Sequence, residues 1–128
     1  LIDIPAIVGK SESDVQAILG DAMDYGSVVD EQIGCDSCPT KLYNDDSIEI
    51  VFINGQADRI TVRGLNNVPF DTNLLSVLGI SGQHTPTMDG GIMKQWSDVA
   101  GIKRIMATST ESGEIDYVRF FYKTDATF

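Results

Sequence analysis

Positive charge is scarce in this chain: Lys and Arg together number 9 against 19 Asp and Glu, for a formal charge of −10. Such a balance repels phosphate backbones and anionic lipid, so no nucleic-acid partner is expected. Long apolar runs are missing too. Nothing approaches the roughly 18 apolar residues that cross a bilayer, and no basic, apolar signal peptide stands at the N-terminus. No direct membrane insertion of this segment is therefore expected. The chain starts at Leu1 and not at Met, which reads as processing or trimming and is compatible with export. Asn-x-Ser/Thr acceptors are absent, so glycosylated secretion gains no support.

Metal-ligating and catalytic residues are equally sparse. The chain holds one His and two Cys, whereas a structural zinc site needs four N or S ligands. His84 lies some fifty positions from the cysteines in Gly82-Gln83-His84-Thr85-Pro86, a loop composition that suits a solvated side chain. No nucleophile elbow, phosphate loop or EF-hand spacing occurs, and Asn44-Asp45-Asp46-Ser47 lacks the alternating ligands and glycine of a calcium loop. We expect no cofactor, no metal and no enzymatic activity. Cys35-Asp36-Ser37-Cys38 has the spacing of a redox pair but not its strand-to-helix context, because Pro39 and a strand-forming Lys41-Leu42-Tyr43 follow. A structural disulfide in a tight strand-to-strand loop is expected over free thiols or a redox pair; it would contribute about 2 kcal/mol.

What is present suits one globular domain: 128 residues, 42% of them hydrophobic. Ser11 caps a predicted helix to Gly20 on which Val15, Ile18, Leu19 and Ala22 follow the 3.6-residue period. Phe70 to Gly79 reads alike, with Asp71 or Thr72 as cap and Leu74, Val77 and Leu78 as stripe. Ile48 to Ile53, Asn54-Gly55 and Arg59 to Arg63 predict a hairpin, as do Ile102 to Thr108, Ser112-Gly113 and Asp116 to Phe120. The halves correspond at an offset of 59 in the helices (Leu19 with Leu78) and 58 in the hairpins (Ile60 with Val118). The expected fold is α+β. It has two tandem repeats, residues 1–64 and 65–128, each a short helical segment on a three- or four-stranded antiparallel sheet, packed together. Ile48, Ile50, Phe52, Ile60, Val62, Val118 and Phe120 should form the core.

Ile4-Pro5-Ala6-Ile7-Val8-Gly9-Lys10, a helix ending Ile18-Leu19-Gly20-Asp21, then a Tyr, then Ile48 to Ala57 with Asn54-Gly55, resembles the repeat unit of β-lactamase-inhibitor-protein-like domains. The small outer-membrane assembly lipoproteins share that unit. The resemblance implies a helical segment on a four-stranded sheet, twice in tandem. It also implies contact with a target through the sheet's concave face and hairpin tips, by position Tyr43 to Asp46 and Trp96 to Asp98.

Charge is lopsided between the halves. The first 64 residues hold twelve acidic and four basic side chains, the rest seven and five, and positions 11 to 40 carry Glu12, Asp14, Asp21, Asp24, Asp30, Glu31 and Asp36 with no Lys or Arg. An acidic surface either keeps the protein in solution or steers a basic protein partner. The expected function is a non-catalytic protein-binding protein of the periplasm or extracellular space, inhibitor-like or immunity-like. Its expected contacts are Tyr43, Asn44, Asp45, Asp46, Trp96 and Asp98, although Tyr43 and Trp96 suit a core equally. The alternative is an envelope assembly or structural module tethered by a lipidated Cys upstream of Leu1.

Overall fold

The apolar alternation resolves, in a computed structural model describing residues 2–124, into eight strands. They are β1 (Met23–Asp30), β2 (Cys35–Tyr43), β3 (Ile48–Ile53), β4 (Gln56–Val62), β5 (Met88–Asp89), β6 (Met93–Val99), β7 (Ile102–Ser109) and β8 (Ile115–Phe121). All belong to one antiparallel sheet in the order β1-β2-β3-β4-β8-β7-β6-β5.

That sheet overturns the expected α+β class with its two helix-plus-sheet repeats: the fold is largely all-β. Among the described residues α1 (Glu12–Leu19) is the one helix longer than a turn, while α2 is reduced to Leu74–Val77. The cause is local. Ser11 Oγ accepts the Asp14 N–H at 3.2 Å and caps α1. Asp71 Oδ1 instead accepts the Asn73 N–H at 2.8 Å, a turn two residues on that keeps the chain out of the helix, and Asn73 gives α2 no side-chain cap. Nor do the halves form separate sheets. β4 and β8 pair from Arg59↔Phe121 to Val62↔Val118, so each half satisfies the backbone edge of the other. The residues matched at an offset of 58, Ile60 with Val118 and Val62 with Phe120, all lie on this seam, where antiparallel pairing sets Ile60 opposite Phe120 and Val62 opposite Val118.

Alternation places Ile48, Ile50, Phe52, Ile60, Val62, Val118 and Phe120 on one face, and all are buried in the main core. Ile105, Ala107 and Trp96 extend that face. Val15 of α1, Leu74, Leu75, Leu78 and Ile80 around α2, and Ile4 and Ile7 cover it. Burial of each such side chain is worth roughly 1.5–3 kcal/mol. The hairpin β3–β4 turns at Asn54 (φ 53°) and Gly55 (φ 75°), the paired left-handed conformations that Asn-Gly favours. At Gly79 (φ +87°) an added Cβ would lie 3.0 Å from Asp3 Cα, so only glycine lets the N-terminal segment dock, where the Ile4 N–H donates to Leu78 O at 3.0 Å.

Cys35 and Cys38 form a disulfide, but inside β2 and not in the expected loop. Val28 pairs with Cys38 and Asp30 with Cys35, so β2 spends one more residue than β1 across this interval. The Cα atoms lie 5.4 Å apart, against about 10 Å for three steps of extended strand. The bond therefore closes a bulge. Both cysteines pack with Val51 and Ile53 in a second small cluster, joined by Val28 and Ile33.

Candidate functional site

Tyr43 and Trp96, expected as contact anchors or as core, are core: they are 2% and 0% exposed. Tyr43 pairs with Ile48 and Trp96 with Ile105, which puts both on the rows that face the helices. Neither ring is exposed to a partner, so neither is a contact anchor in this fold. The Trp96 indole N–H donates to the His84 carbonyl at 3.1 Å. Burial, with the Glu12 and Asp24 carboxylates adding to it, pushes the Tyr43 phenol up to about 12.

The remaining expected contacts do not share a surface. Asn44, Asp45 and Asp46 are exposed in left-handed turn conformations between β2 and β3. Asp98, also exposed, lies at the far end of β6, next to the turn into β7. Across the ladder Ile48 is level with Val62, Val118, Ala107 and Lys94 at one end of the sheet. Ser97, beside Asp98, is level with Arg104, Phe121, Arg59 and Val51 toward the other. Antiparallel meanders put these two turns at opposite ends, so one partner face does not join them.

The structure gathers a different surface. β1 begins the sheet order, and among the described residues no strand pairs with its outer edge. Met23, Tyr25 and Val29 on β1 are 61%, 64% and 72% exposed, and Ile18 on α1 is 51% exposed. Glu12, Asp14, Asp21, Asp24 and Glu31 are exposed on the same two elements and the segments that flank them, and Asp36 is exposed on the neighbouring β2. Lys41 Nζ approaches Glu12 at 3.5 Å and Asp24 at 3.6 Å, joining α1, β1 and β2. At the Met23 end, Asn44 and Leu19 line a cleft of about 290 Å³ with Ile2, Ser47, Ile48 and Arg63, so the turn that carries Asn44, Asp45 and Asp46 lies at the margin of this surface. The sequence signalled the acids but not β1. Its apolar residues lack alternation because β1 buries little: Val28 alone packs on the second cluster, and Tyr25 sits at a register shift between Asp24 and Gly26.

Positive charge collects elsewhere. Arg59 and Arg119 alternate with the core residues of β4 and β8 and so belong to the opposite face of the sheet. There Phe121 lies between the Arg59 and Arg104 guanidinium groups, 4.3 and 4.1 Å from its ring centre, and Arg119 covers Tyr117 at 4.7 Å. Arg119 Nε donates to Thr61 Oγ1 at 2.9 Å. Arg63 pairs with Glu49 at 3.1 Å. Arg59, Arg104 and Arg119 are thus engaged away from the acidic edge, while Arg63, paired with Glu49, lines the cleft beside Asn44 at its margin.

Among the described residues no three His, Cys, Asp or Glu side chains are placed to hold a metal ion. His84 Nε2 lies 2.9 Å from the Ser81 carbonyl in its loop. No described helix is long and apolar enough to cross a membrane, and the expected anchor upstream of Leu1 lies outside the described residues. Set beside known proteins, the chain matches no protein-family model, no curated protein and no solved structure.

Proposed function

We propose that this chain is a non-catalytic protein-binding protein of the cell envelope or extracellular space, inhibitor-like or immunity-like, whose acidic surface meets a basic protein partner. The observation that carries this reading is the exposure of Ile18, Met23, Tyr25 and Val29 among carboxylates on α1 and β1. Large apolar side chains held in water gain free energy when a partner covers them. The carboxylates around them select the sign of that partner and speed its approach. The Cys35–Cys38 disulfide supports an oxidising compartment, and the inhibitor-like part rests only on the resemblance of the sequence segments 4–21 and 48–57 to β-lactamase-inhibitor-protein-like domains.

The test is affinity capture from envelope extract, run in parallel with the native chain and with Asp21→Asn/Asp24→Asn, followed by mass spectrometry. The reading expects basic proteins on the native chain and their depletion on the variant. Recovery of the same acidic proteins by both would refute it.

A further inference from the structure

We infer that β1 is a docking strand: an extended, basic segment of the partner adds to the sheet alongside Met23–Asp30. This rests on the protein-binding reading above and specifies where and in what form the partner binds.

Sheet edges present a row of backbone donors and acceptors that invite another strand, and natural sheets usually shorten, cover or charge them. The two edges here are treated differently. β5 is only Met88–Asp89, with Pro86 before it and Gly90-Gly91 after it. β1 runs eight residues, with register shifts at Asp24/Gly26 and Val28/Asp30, and carries neither Lys nor Pro. Its charges are Asp24 toward one end and Asp30 at the other, followed by Glu31. Between them lie Tyr25, Gly26, Ser27, Val28 and Val29.

That arrangement chooses its occupant. A second copy pairing antiparallel about Ser27 would set Asp24 opposite Asp30 twice, once on each side of the two-fold axis. Like charges facing each other across strands are destabilising, so self-addition is opposed. A segment with Lys or Arg at both ends and apolar residues between reverses the sign at each acid and covers Tyr25 and Val29. Backbone pairing supplies the affinity and the flanking charges the specificity, as in other strand-addition complexes. The disulfide contributes from beneath: it fixes the bulge in β2 against which Val28 and Asp30 are registered, holding β1 as a template before the partner arrives.

The probe is a synthetic eight-residue peptide, apolar in the middle and Lys-flanked, titrated against the full chain. Its affinity is read by fluorescence anisotropy and its location by amide hydrogen exchange. Controls are the same peptide flanked by Glu and one with Pro at its centre. Amides within 23–30 should exchange about tenfold more slowly with the Lys-flanked peptide and should not respond to either control. Asp24→Lys with Glu31→Lys should weaken the Lys-flanked peptide by at least about tenfold and admit the Glu-flanked one. Asp30 is left in place because its Oδ1 accepts the Gln32 N–H, and unchanged circular dichroism verifies that the variant is folded.

Protection elsewhere, no peptide binding at millimolar concentration, or concentration-dependent dimerisation through β1 would each overturn the docking strand. If a basic protein is still captured from envelope extract in those cases, the protein-binding reading survives its loss. Capture of acidic proteins only would remove both.

Discussion

Replacing Tyr43 by Phe removes one hydroxyl from the core and makes the burial of this ring measurable through pH. The phenol has an ordinary value of 10.0 and is pushed up to about 12 in the folded chain. A raised value in the native state means that the folded protein keeps its proton where the unfolded chain has lost it. The associated stabilisation is fully present below pH 10 and disappears as pH rises toward 12. At pH 11 the unfolded phenol is about ten-elevenths ionised and the native one about one-tenth, a loss of about 1.4 kcal/mol or tenfold in the folding constant. The Tyr43→Phe variant has no phenol to titrate and carries no such loss. Urea unfolding at pH 8 and pH 11, followed by the fluorescence of the chain's single Trp, buried at position 96, gives two free energies for each protein. The difference between pH values, compared between native and Tyr43→Phe, cancels the titration of every other group. The native chain should lose about 1.4 kcal/mol more than the variant over this interval. Equal losses would show that Tyr43 titrates in water, and its placement between Glu12, Asp24 and Ile48 would be wrong.

Further outcomes follow from the same contacts. Cys35→Ser with Cys38→Ser should cost about 2 kcal/mol in loop entropy, and somewhat more because both positions are buried against Val51 and Ile53. Guanidinium unfolding reads this, and an undiminished stability or a rapidly reacting thiol pair in the reduced native chain would contradict a purely structural bond. Trp96→Phe should cost roughly 1–3 kcal/mol, from lost volume and the unpaired His84 carbonyl, with no change in partner binding; a binding defect in a folded variant would return Trp96 to the interface. Ile60→Ala, on the seam between the halves, should cost about 2–5 kcal/mol and unfold both halves in one transition, whereas two transitions would indicate that each half has a sheet of its own.

Alternation made β3, β4, β7 and β8 legible, because Ile48, Ile50 and Phe52 or Val118 and Phe120 repeat at period two and must share a face. Asn54-Gly55 was legible as a turn because its backbone demand is local. The seam was not, since nothing in either strand states which outer edge it will meet. β1 is illegible for a different reason: a strand that packs only Val28 against the rest of the protein has too little burial to impose a period. In α2 an apolar stripe without a cap looked like a helix, and the competing Asp71 turn decided otherwise. Tyr43 and Trp96 show the limit for the site. An aromatic beside an acid suits an interface and a core alike, and only the pairing with Ile48 and Ile105 separates them. The cysteine spacing pointed to the bond, while the bulge it closes became visible only once β1 was beside it.

Recruitment of a basic protein by the acidic half of the surface is read from the association kinetics of a captured partner. Rates are measured by stopped flow at low and physiological salt for the native chain, for Asp45→Asn with Asp46→Asn, and for Glu111→Gln with Glu114→Gln. Screening shortens the reach of charge to about 8 Å at physiological ionic strength, so added salt should slow association more than it alters dissociation. Neutralising Asp45 and Asp46, at the margin of the acidic edge, should slow association more than neutralising Glu111 and Glu114 in the less acidic half. Association indifferent to salt, or an equal effect of the two double variants, would contradict the claim and leave the acidity as a device for solubility alone.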